Sequence, residues 1–324
     1  MTSIQAPIGS GFGASSTTED VIKGIDLTGK NAIVTGGYAG LGLETVRTLS
    51  SAGARITVPT RDRARAEEAL AGIRGVTVET MDLLDPASID AFAQKFLATG
   101  QPLHFLINNA GIMANPLTRD ARGFESQFAT NHLGHFQLTV RLWPALKKAG
   151  GARVVCLTSR GHKIAAVDFD DPNFERTDYD RWAAYGRSKS ANALFAVGLD
   201  KRGEPFRIRA FSVHPGGIVT GLAKFMSREE IRAVGAIDDE DRPVIDPANN
   251  RKTVEQGAAT SIWCATSPRL EGRGGAYCED CDISPALEPD ATERLGVMPW
   301  ATDPVAAEKL WDLSETLTGV RFQP

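Results

Sequence analysis

The sequence predicts an α/β chain: one doubly wound parallel sheet of about seven strands with helices on both faces. Three observations carry this prediction. Short apolar runs of strand type and longer helix-periodic stretches alternate about six times along the 324 residues. The first apolar run, residues 31–35, opens into a glycine-rich turn at 36–42 and then a helix with Leu43, Val46 and Leu49 on one face. Polar residues recur past the fourth, fifth and sixth strands, at Asn109, Ser159 and Thr220, and the carboxyl edge of a parallel sheet gathers such positions into one place.

Composition narrows the classes without choosing among them. A chain of this length holds one large α/β domain or two small ones. Hydrophobic residues at 42% and charged residues at 23% are ordinary for a globular protein. A net charge of −4 gives no footprint for nucleic acid or an anionic membrane surface. No apolar run approaches the roughly 18 residues that a membrane span requires. The first 16 residues lack the basic start and apolar centre of a secretory signal. Four cysteines suit reduced thiols in the cytosol. Cys278 and Cys281 are separated by two residues, a spacing shared by redox and zinc sites, but no second pair and no histidine at ligand spacing follow. Cys278 therefore reads as the end of a buried strand, and no metal is expected.

The elements follow in order. Residues 1–16, rich in glycine, serine and threonine, read as poorly ordered, and a capping box from Ser16 to Glu19 predicts a short helix through Val21 and Ile22. Residues 1–26 form an extension, and 27–324 form the domain. The strand, glycine turn and helix over 31–49 make a phosphate-binding unit: glycines allow a tight turn, and a helix N-terminus offers free N–H groups to pyrophosphate. Residues 53–59 are a second strand. Beyond it, Thr60 occupies the place where an acidic residue would hold ribose hydroxyls, and Arg61 follows, suited to grip a 2′-phosphate. Arg61, Arg63 and Arg65 could equally be the solvated start of a helix over 62–72. Residues 76–80 are a third strand followed by Asp82, which either accepts from an adenine amino group or caps the next segment. A helix over 86–98 and a strand over 103–108 lead into Asn109 to Gly111.

A long helix is expected over 121–148, with Asn131 and His132 inside it despite the modest helix propensity of asparagine. Residues 153–159 form a fifth strand ending in two hydroxyls. The loop over 160–182 is long for a compact domain, and loops of that length usually carry function. A helix then runs over 178–201, and a sixth strand over 207–213 precedes the turn 214–220. Residues 221–252 look inserted, with a helix over 222–234 and an acidic linker. A helix over 253–264, a seventh strand over 274–278 and a final helix from Asp303 complete the chain.

The chemistry centres on Tyr185 and Lys189. Four residues apart on a helix, their side chains share one face with Cβ atoms about 5–6 Å apart. A free phenol titrates near about 10 and moves protons poorly at neutral pH; a neighbouring ammonium favours the phenolate and lowers that value.

These motifs together resemble the short-chain dehydrogenase/reductase family. The residues that carry the resemblance are the turn from Thr35 through Gly36, Gly40 and Gly42; Asn108-Asn109-Ala110-Gly111; Asn131; Ser159; Tyr185 with Lys189; and Pro215-Gly216. They span roughly residues 27–280 in the family's order. The Thr60-Arg61 pair, the gap from Ser159 to Tyr185 and the leader are similar to the retinol-dehydrogenase-like branch. The resemblance implies a Rossmann-type fold and an oxidoreductase in which Tyr185 exchanges a proton with the substrate oxygen. Lys189 would lower the Tyr185 pKa and bind the nicotinamide ribose, Ser159 would polarise the carbonyl, and Asn131 would hold a relay water. It also implies cofactor contacts from Gly36, Tyr38, Ala39, Gly40, Leu41 and Gly42 at the pyrophosphate turn, Arg61 at the 2′-phosphate, and Asp82 with Leu83 near adenine. Asn109, Ala110 and Gly111 would line the adenosine side, and Pro215, Gly216, Ile218 and Thr220 the nicotinamide side. Some NADP-using members carry a base where this chain has Ala39, so Arg61 bears the preference for NADP(H) over NAD(H). Each position also has a structural reading: Ser159 as a strand-end cap, Asn131 as a helix-bending residue, Lys189 as a snorkelling surface group.

Segments 160–182, 221–252 and 282–302 are expected to cover the substrate, through Phe169, Phe174, Phe225, Met226, Met298 and Trp300. Apolar walls suit a bulky hydrophobic ketone or alcohol. The family resemblance implies a homo-oligomer, a dimer or tetramer, through the helices 121–148 and 178–201. The alternative reading is a catalytically silent NADP-binding redox-sensing regulator; an epimerase or lyase on the same fold is a further rival.

Overall fold

The computed structural model describes residues 4–324. Its eight strands are β1 (Asn31–Val34), β2 (Arg55–Thr60), β3 (Val76–Thr80), β4 (Phe105–Asn108), β5 (Ala152–Leu157), β6 (Ile208–Val213), β7 (Tyr277–Glu279) and β8 (Asp282–Ile283). They form one sheet in the order β3-β2-β1-β4-β5-β6-β7-β8, parallel except for the last pair. The predicted doubly wound sheet is present with one strand more than expected. Strands β1, β4 and β6 are buried along their whole length, as strands covered on both faces must be. The strand order reverses between β1 and β4, and the crevice for a ligand opens at such a switch point.

The eleven α-helices are α1 (Thr18–Ile22), α2 (Gly40–Ser51), α3 (Arg63–Ala69), α4 (Pro86–Ala98), α5 (Ser126–Phe128), α6 (Gly134–Arg141), α7 (Trp143–Lys148), α8 (Arg181–Gly203), α9 (Arg228–Ala233), α10 (Val254–Thr266) and α11 (Pro304–Thr318). Helix α2 packs with α10 and α1 on one face of the sheet; α4 packs with α6, and α8 with α11, on the other. Local chemistry sets the ends. Asp85 caps α4 ahead of Pro86, Asp180 caps α8 by accepting from Trp182 and Ala183, and Asp303 caps α11.

Several boundaries differ from expectation for identifiable reasons. The helix expected over 121–148 starts only at Ser126, because Glu125 caps it and pairs backward with Arg119. A π-turn over Ala129–Leu133 then interrupts it, and it breaks at Leu142, since Pro144 lacks the N–H that would continue the ladder. The helix expected over 222–234 divides into a 3-10 turn capped by Thr220 and the short α9, started by a Ser227/Glu230 capping box. The long loop over 160–182 contains a 3-10 turn at Arg160–Lys163 and gives way to α8 at Arg181. Cys278 lies inside β7 rather than at its end. Asp280 and Cys281 both take φ near +55°, at 52° and 58°, and form the two-residue turn into the unexpected β8. The Cys-x-x-Cys spacing is thus a hairpin turn with both thiols buried.

The leader corrects the expectation of poor order. Residues 1–3 lie outside the described residues, but Gln5 is buried and its amide acts like an added strand, donating to the carbonyls of Tyr277 and Ser284 and accepting from Tyr277 N. Ile8 and Ser10 N–H groups donate to Asp282. The capping box of α1 falls on Thr17 and Asp20, one residue later than predicted. No helix among the described residues is long and apolar enough to cross a membrane.

Candidate active site

A cleft of about 920 Å³ runs along the carboxyl edge of the sheet and is lined by every predicted site residue except Asn131. At one end, β1 delivers the chain to Thr35 and the glycine turn. Gly36 and Gly40 adopt φ of 65° and 51°, which glycine tolerates best. A Cβ on Gly42 would fall 2.3 Å from Gly36 O and 2.6 Å from Asn109 Nδ2, so α2 begins as close to the turn as a bare backbone allows. Ala39 caps α2 without any side-chain hydrogen bond. The first N–H groups of α2 are therefore uncommitted to a capping side chain at the cleft wall, a fit to a pyrophosphate.

Thr35, absent from the predicted set, ties β1 to β4. Its hydroxyl accepts from the N–H groups of Asn109 and Ala110, both at 2.9 Å, and Asn109 Nδ2 donates to its carbonyl. Beyond β2, Arg61 stands 62% exposed, with Nη1 3.9 Å from Asp82 Oδ2. Asp82 also caps its own turn, accepting from Leu84 N. The Arg65 guanidinium lies 5.8 Å from the Tyr38 ring centroid at the same end of the cleft.

The middle of the cleft holds the reactive side chains. Ser159 follows β5 and accepts from Gly161 N at 3.0 Å, and its hydroxyl stands near enough to the Tyr185 phenol to favour the phenolate. Tyr185 sits on α8, 5% exposed, and burial pushes its phenol up to about 12, with Ser159 opposing. Lys189, one turn later, is pushed down to about 8 by burial. Its Nζ donates to Leu157 O at 3.1 Å and lies 5.6 Å from the Tyr185 ring centroid. For the protein alone the Tyr185 pKa thus departs from the expected lowering by Lys189: burial is the largest influence and raises it, with Ser159 opposing.

Asn131 lies behind the wall, fully buried in the π-turn. Its carboxamide accepts from Ile112 N and donates to Ile112 O and Ser188 Oγ at 2.9–3.0 Å. A Cβ on Gly111 would lie 3.0 Å from Asn131 Oδ1 and 3.6 Å from Lys189 Nζ, so the two side chains flank that glycine.

At the far end, Gly216 takes φ of 106° over the Lys252 stem, and Gly217 exchanges backbone hydrogen bonds with Asn250 and Lys252. Lys252 is buried in an ion pair with Asp280. Among the expected apolar wall residues, Phe225 and Met226 line the cleft, joined by Trp182, Ile164 and Leu222. Phe169, Phe174, Met298 and Trp300 do not. Phe169 packs on the core, and Phe174 meets Tyr179 edge-on with centroids 5.1 Å apart. Segment 282–302 meets the turn behind Ser159 through Lys163, which donates to the Glu293 and Arg294 carbonyls, and through His162, whose carbonyl accepts from Trp300 Nε1 and whose Nε2 accepts from Met298 N. His162 Nδ1 donates to the Ser159 carbonyl, so the third segment braces the serine turn from behind.

A switch-point sheet, a glycine turn under an uncapped helix and a Ser-Tyr-Lys group beside it define a nucleotide-dependent oxidoreductase. Comparison with known proteins narrows this: the family profile "short chain dehydrogenase" matches residues 30–231. A Streptomyces lividans protein named "Probable oxidoreductase" is 45% identical over 294 residues, 89% of this chain and 97% of that one. Human retinol dehydrogenase 12 is 38% identical over 305 residues, 92% of this chain and 89% of its own. A crystal structure of an uncharacterized Mycobacterium paratuberculosis protein superposes with a TM-score of 0.73 at 29% identity, covering 96% of this chain and 100% of that one. The chain belongs to the short-chain dehydrogenase/reductase family, in its retinol-dehydrogenase-like branch. It is accordingly an NAD(P)-dependent oxidoreductase of CH–OH and C=O groups.

Proposed function

We propose that the protein interconverts a bulky hydrophobic ketone or aldehyde and its alcohol with NADP(H). The observation that carries this reading is that Ser159, Tyr185 and Lys189 line one cleft, Ser159 close enough to act on the Tyr185 phenol and Lys189 one helical turn away. The bound nicotinamide supplies or receives the hydride. As a carbonyl oxygen gains negative charge, Ser159 donates a hydrogen bond to it and Tyr185 transfers its proton to it. An alkoxide is a much stronger base than a phenolate, so a phenol held near 12 still donates in the reducing direction. Lys189 then stabilises the phenolate left behind and binds the nicotinamide ribose. Asn131 holds the Gly111 segment against Lys189 and retains a water that carries the replacement proton.

The preference for NADP(H) is supported by Thr60 standing where an acid would repel a 2′-phosphate, and by Arg61, held only by a long contact with Asp82. Arg65 adds positive charge at the same end. The apolar entrance of Trp182, Leu222, Phe225 and Met226 supports a hydrophobic substrate. We place this activity in a cytosolic homo-oligomer. The deciding experiment follows NADPH absorbance with purified protein and a panel of aromatic and alicyclic ketones and aldehydes. Consumption faster with NADPH than NADH is expected; cofactor binding without consumption of either by any of the panel would return the silent-regulator reading.

A further inference from the structure

Immediately past Ser159, the cleft contains hydrogen-bond donors for which the protein provides no acceptor. The Arg160 main-chain N–H donates to His214 Nδ1 at 3.2 Å. That nitrogen must then carry the lone pair, so the hydrogen of the neutral imidazole sits on Nε2. Burial and the positive charges of Arg160 and Lys252 keep the ring neutral. His214 is 4% exposed, lines the cleft, and its Nε2 has no hydrogen-bond partner; the nearby Asn250 side chain does not reach bonding geometry.

The Arg160 side chain shares this state. Its Nε and Nη2 are buried without partners, and the residue lines the same cleft. Glu279 is the carboxylate that acts most strongly on it, but the two form no ion pair. Glu279 is spent elsewhere, its Oε1 accepting from Ser284 Oγ and Gly296 N. Arg251 brings a further guanidinium to this wall, using Nη2 on the Val234 carbonyl. A buried guanidinium and an imidazole N–H left without acceptors are costly, and a planar carboxylate answers both, since it accepts two parallel bonds from a guanidinium. The walls nearer the entrance are apolar, so the wanted molecule is hydrophobic at one end and anionic at the other.

We infer that Arg160 and His214 form a carboxylate-binding subsite at the inner end of the substrate cleft, and that the natural substrate is a carbonyl or hydroxy compound bearing a carboxylate. This rests on the carbonyl-reductase reading given above and specifies its substrate class. The acid's carboxylate takes Nε and Nη2 of Arg160 and the Nε2–H of His214, which fixes the depth at which the reacting carbonyl stops beside Ser159.

The test compares 3- and 4-acetylbenzoate with their neutral methyl esters. Reduction by NADPH gives one readout, the ratio of kcat/KM for acid over ester. Equilibrium binding to protein saturated with NADP+, which cannot reduce a ketone, gives a second that does not depend on turnover. The wild type is expected to favour at least one acid by roughly 10- to 100-fold in both readouts, the range of a charge-assisted hydrogen bond. Arg160→Met, which keeps the apolar stem, should bring both ratios towards one, and Arg160→Lys should restore part of them. Equal treatment of acid and ester by the wild type overturns the subsite. So does a preference unaltered in Arg160→Met, or a variant that merely lowers Tm and weakens acid and ester alike, which would make Arg160 a structural partner of Glu279. If neither compound is reduced, the reductase reading is what suffers, and the binding ratio still decides the subsite.

Discussion

His135 Nε2 lies 2.9 Å from the hydroxyl of Thr35, and that contact has only one workable direction. His135 Nδ1 faces the Asn131 carbonyl at 3.0 Å and must donate to it, so Nε2 accepts from Thr35. The strand that ends at the phosphate turn is thereby joined to the π-turn behind Lys189 through a neutral imidazole. Burial holds His135 at about 4, and His132 at about 3 and His162 at about 4 behave alike. An unfolded chain protonates these rings near about 6.5 while the folded one does not. Stability is therefore complete above that value and is lost as pH falls through the window from 6.5 to about 4. Denaturant titrations should show unfolding free energy falling from about pH 6.5, before most carboxylates titrate, by up to about 1.4 kcal/mol per pH unit for each such ring. His135→Gln should reduce that slope by about one proton; an unchanged slope would contradict a neutral His135.

Tyr185→Phe removes one oxygen from a residue whose ring is already packed against Trp182, with centroids 6.4 Å apart. Folding and NADPH affinity should change little, while turnover falls by about 10³-fold or more if the proton passes through this phenol. Retained turnover would take Tyr185 out of the chemistry.

Lys189 carries a pH signature of the same sign in a higher window. Its folded pKa is depressed to about 8 from 10.5, so the unfolded chain holds the extra proton between those values. Stability contributed by this group thus rises as pH increases from about 8 to 10.5, and at neutral pH its burial is a net cost. Lys189→Met should be inactive yet at least as stable as the wild type at pH 7, with the wild type gaining on it above pH 8. Asn192 Nδ2, which also donates to Leu157 O, keeps that carbonyl satisfied in the variant. A variant clearly less stable at pH 7 would argue that the Lys189 bond to Leu157 outweighs its desolvation.

Arg61→Ala should weaken NADP(H) roughly 10-fold or more while leaving NAD(H) within about 2-fold, since a charge-assisted phosphate contact is lost only for the former. Cofactor titrations by fluorescence quenching read both. Equal weakening would remove the guanidinium from the 2′-phosphate and leave Arg65 as the candidate.

The strands and the reactive side chains were legible because local patterns fix them. The run at 31–34 is apolar on both faces, and the glycines of 36–42 are required by positive φ and close backbone approach. The interruptions in the helix over 121–148 were less legible. Pro144 was visible, but the π-turn at Asn131 depends on Ile112 and Ser188, which are distant in sequence. The wall residues failed for a related reason: Phe174 and Trp300 are aromatic in the expected segments, yet tertiary packing turns them away from the cleft. The donors of Arg160 and His214 carry no local signature, since an unpaired hydrogen is defined by what fails to surround it. Gln5 was hidden because a glutamine in a glycine-rich leader looks solvated until its strand partner is known.

That glutamine has a bearing on the order in which the protein can be completed. Gln5 bonds residues 272 and 279 positions further along, among the last parts of the sheet to leave a ribosome. A segment synthesised ahead of every strand is therefore one of the last to dock, and it must wait while the sheet assembles from β1 to β7. Until it returns, the N–H of Tyr277, at the end of the β7–β8 hairpin, lacks its acceptor and is open to one from another chain. A bulky fusion ahead of residue 5, or a proteolytic cut before residue 18, would prolong that exposure. Its signature would be poor recovery of native protein during expression and refolding, even where protein already folded keeps normal turnover.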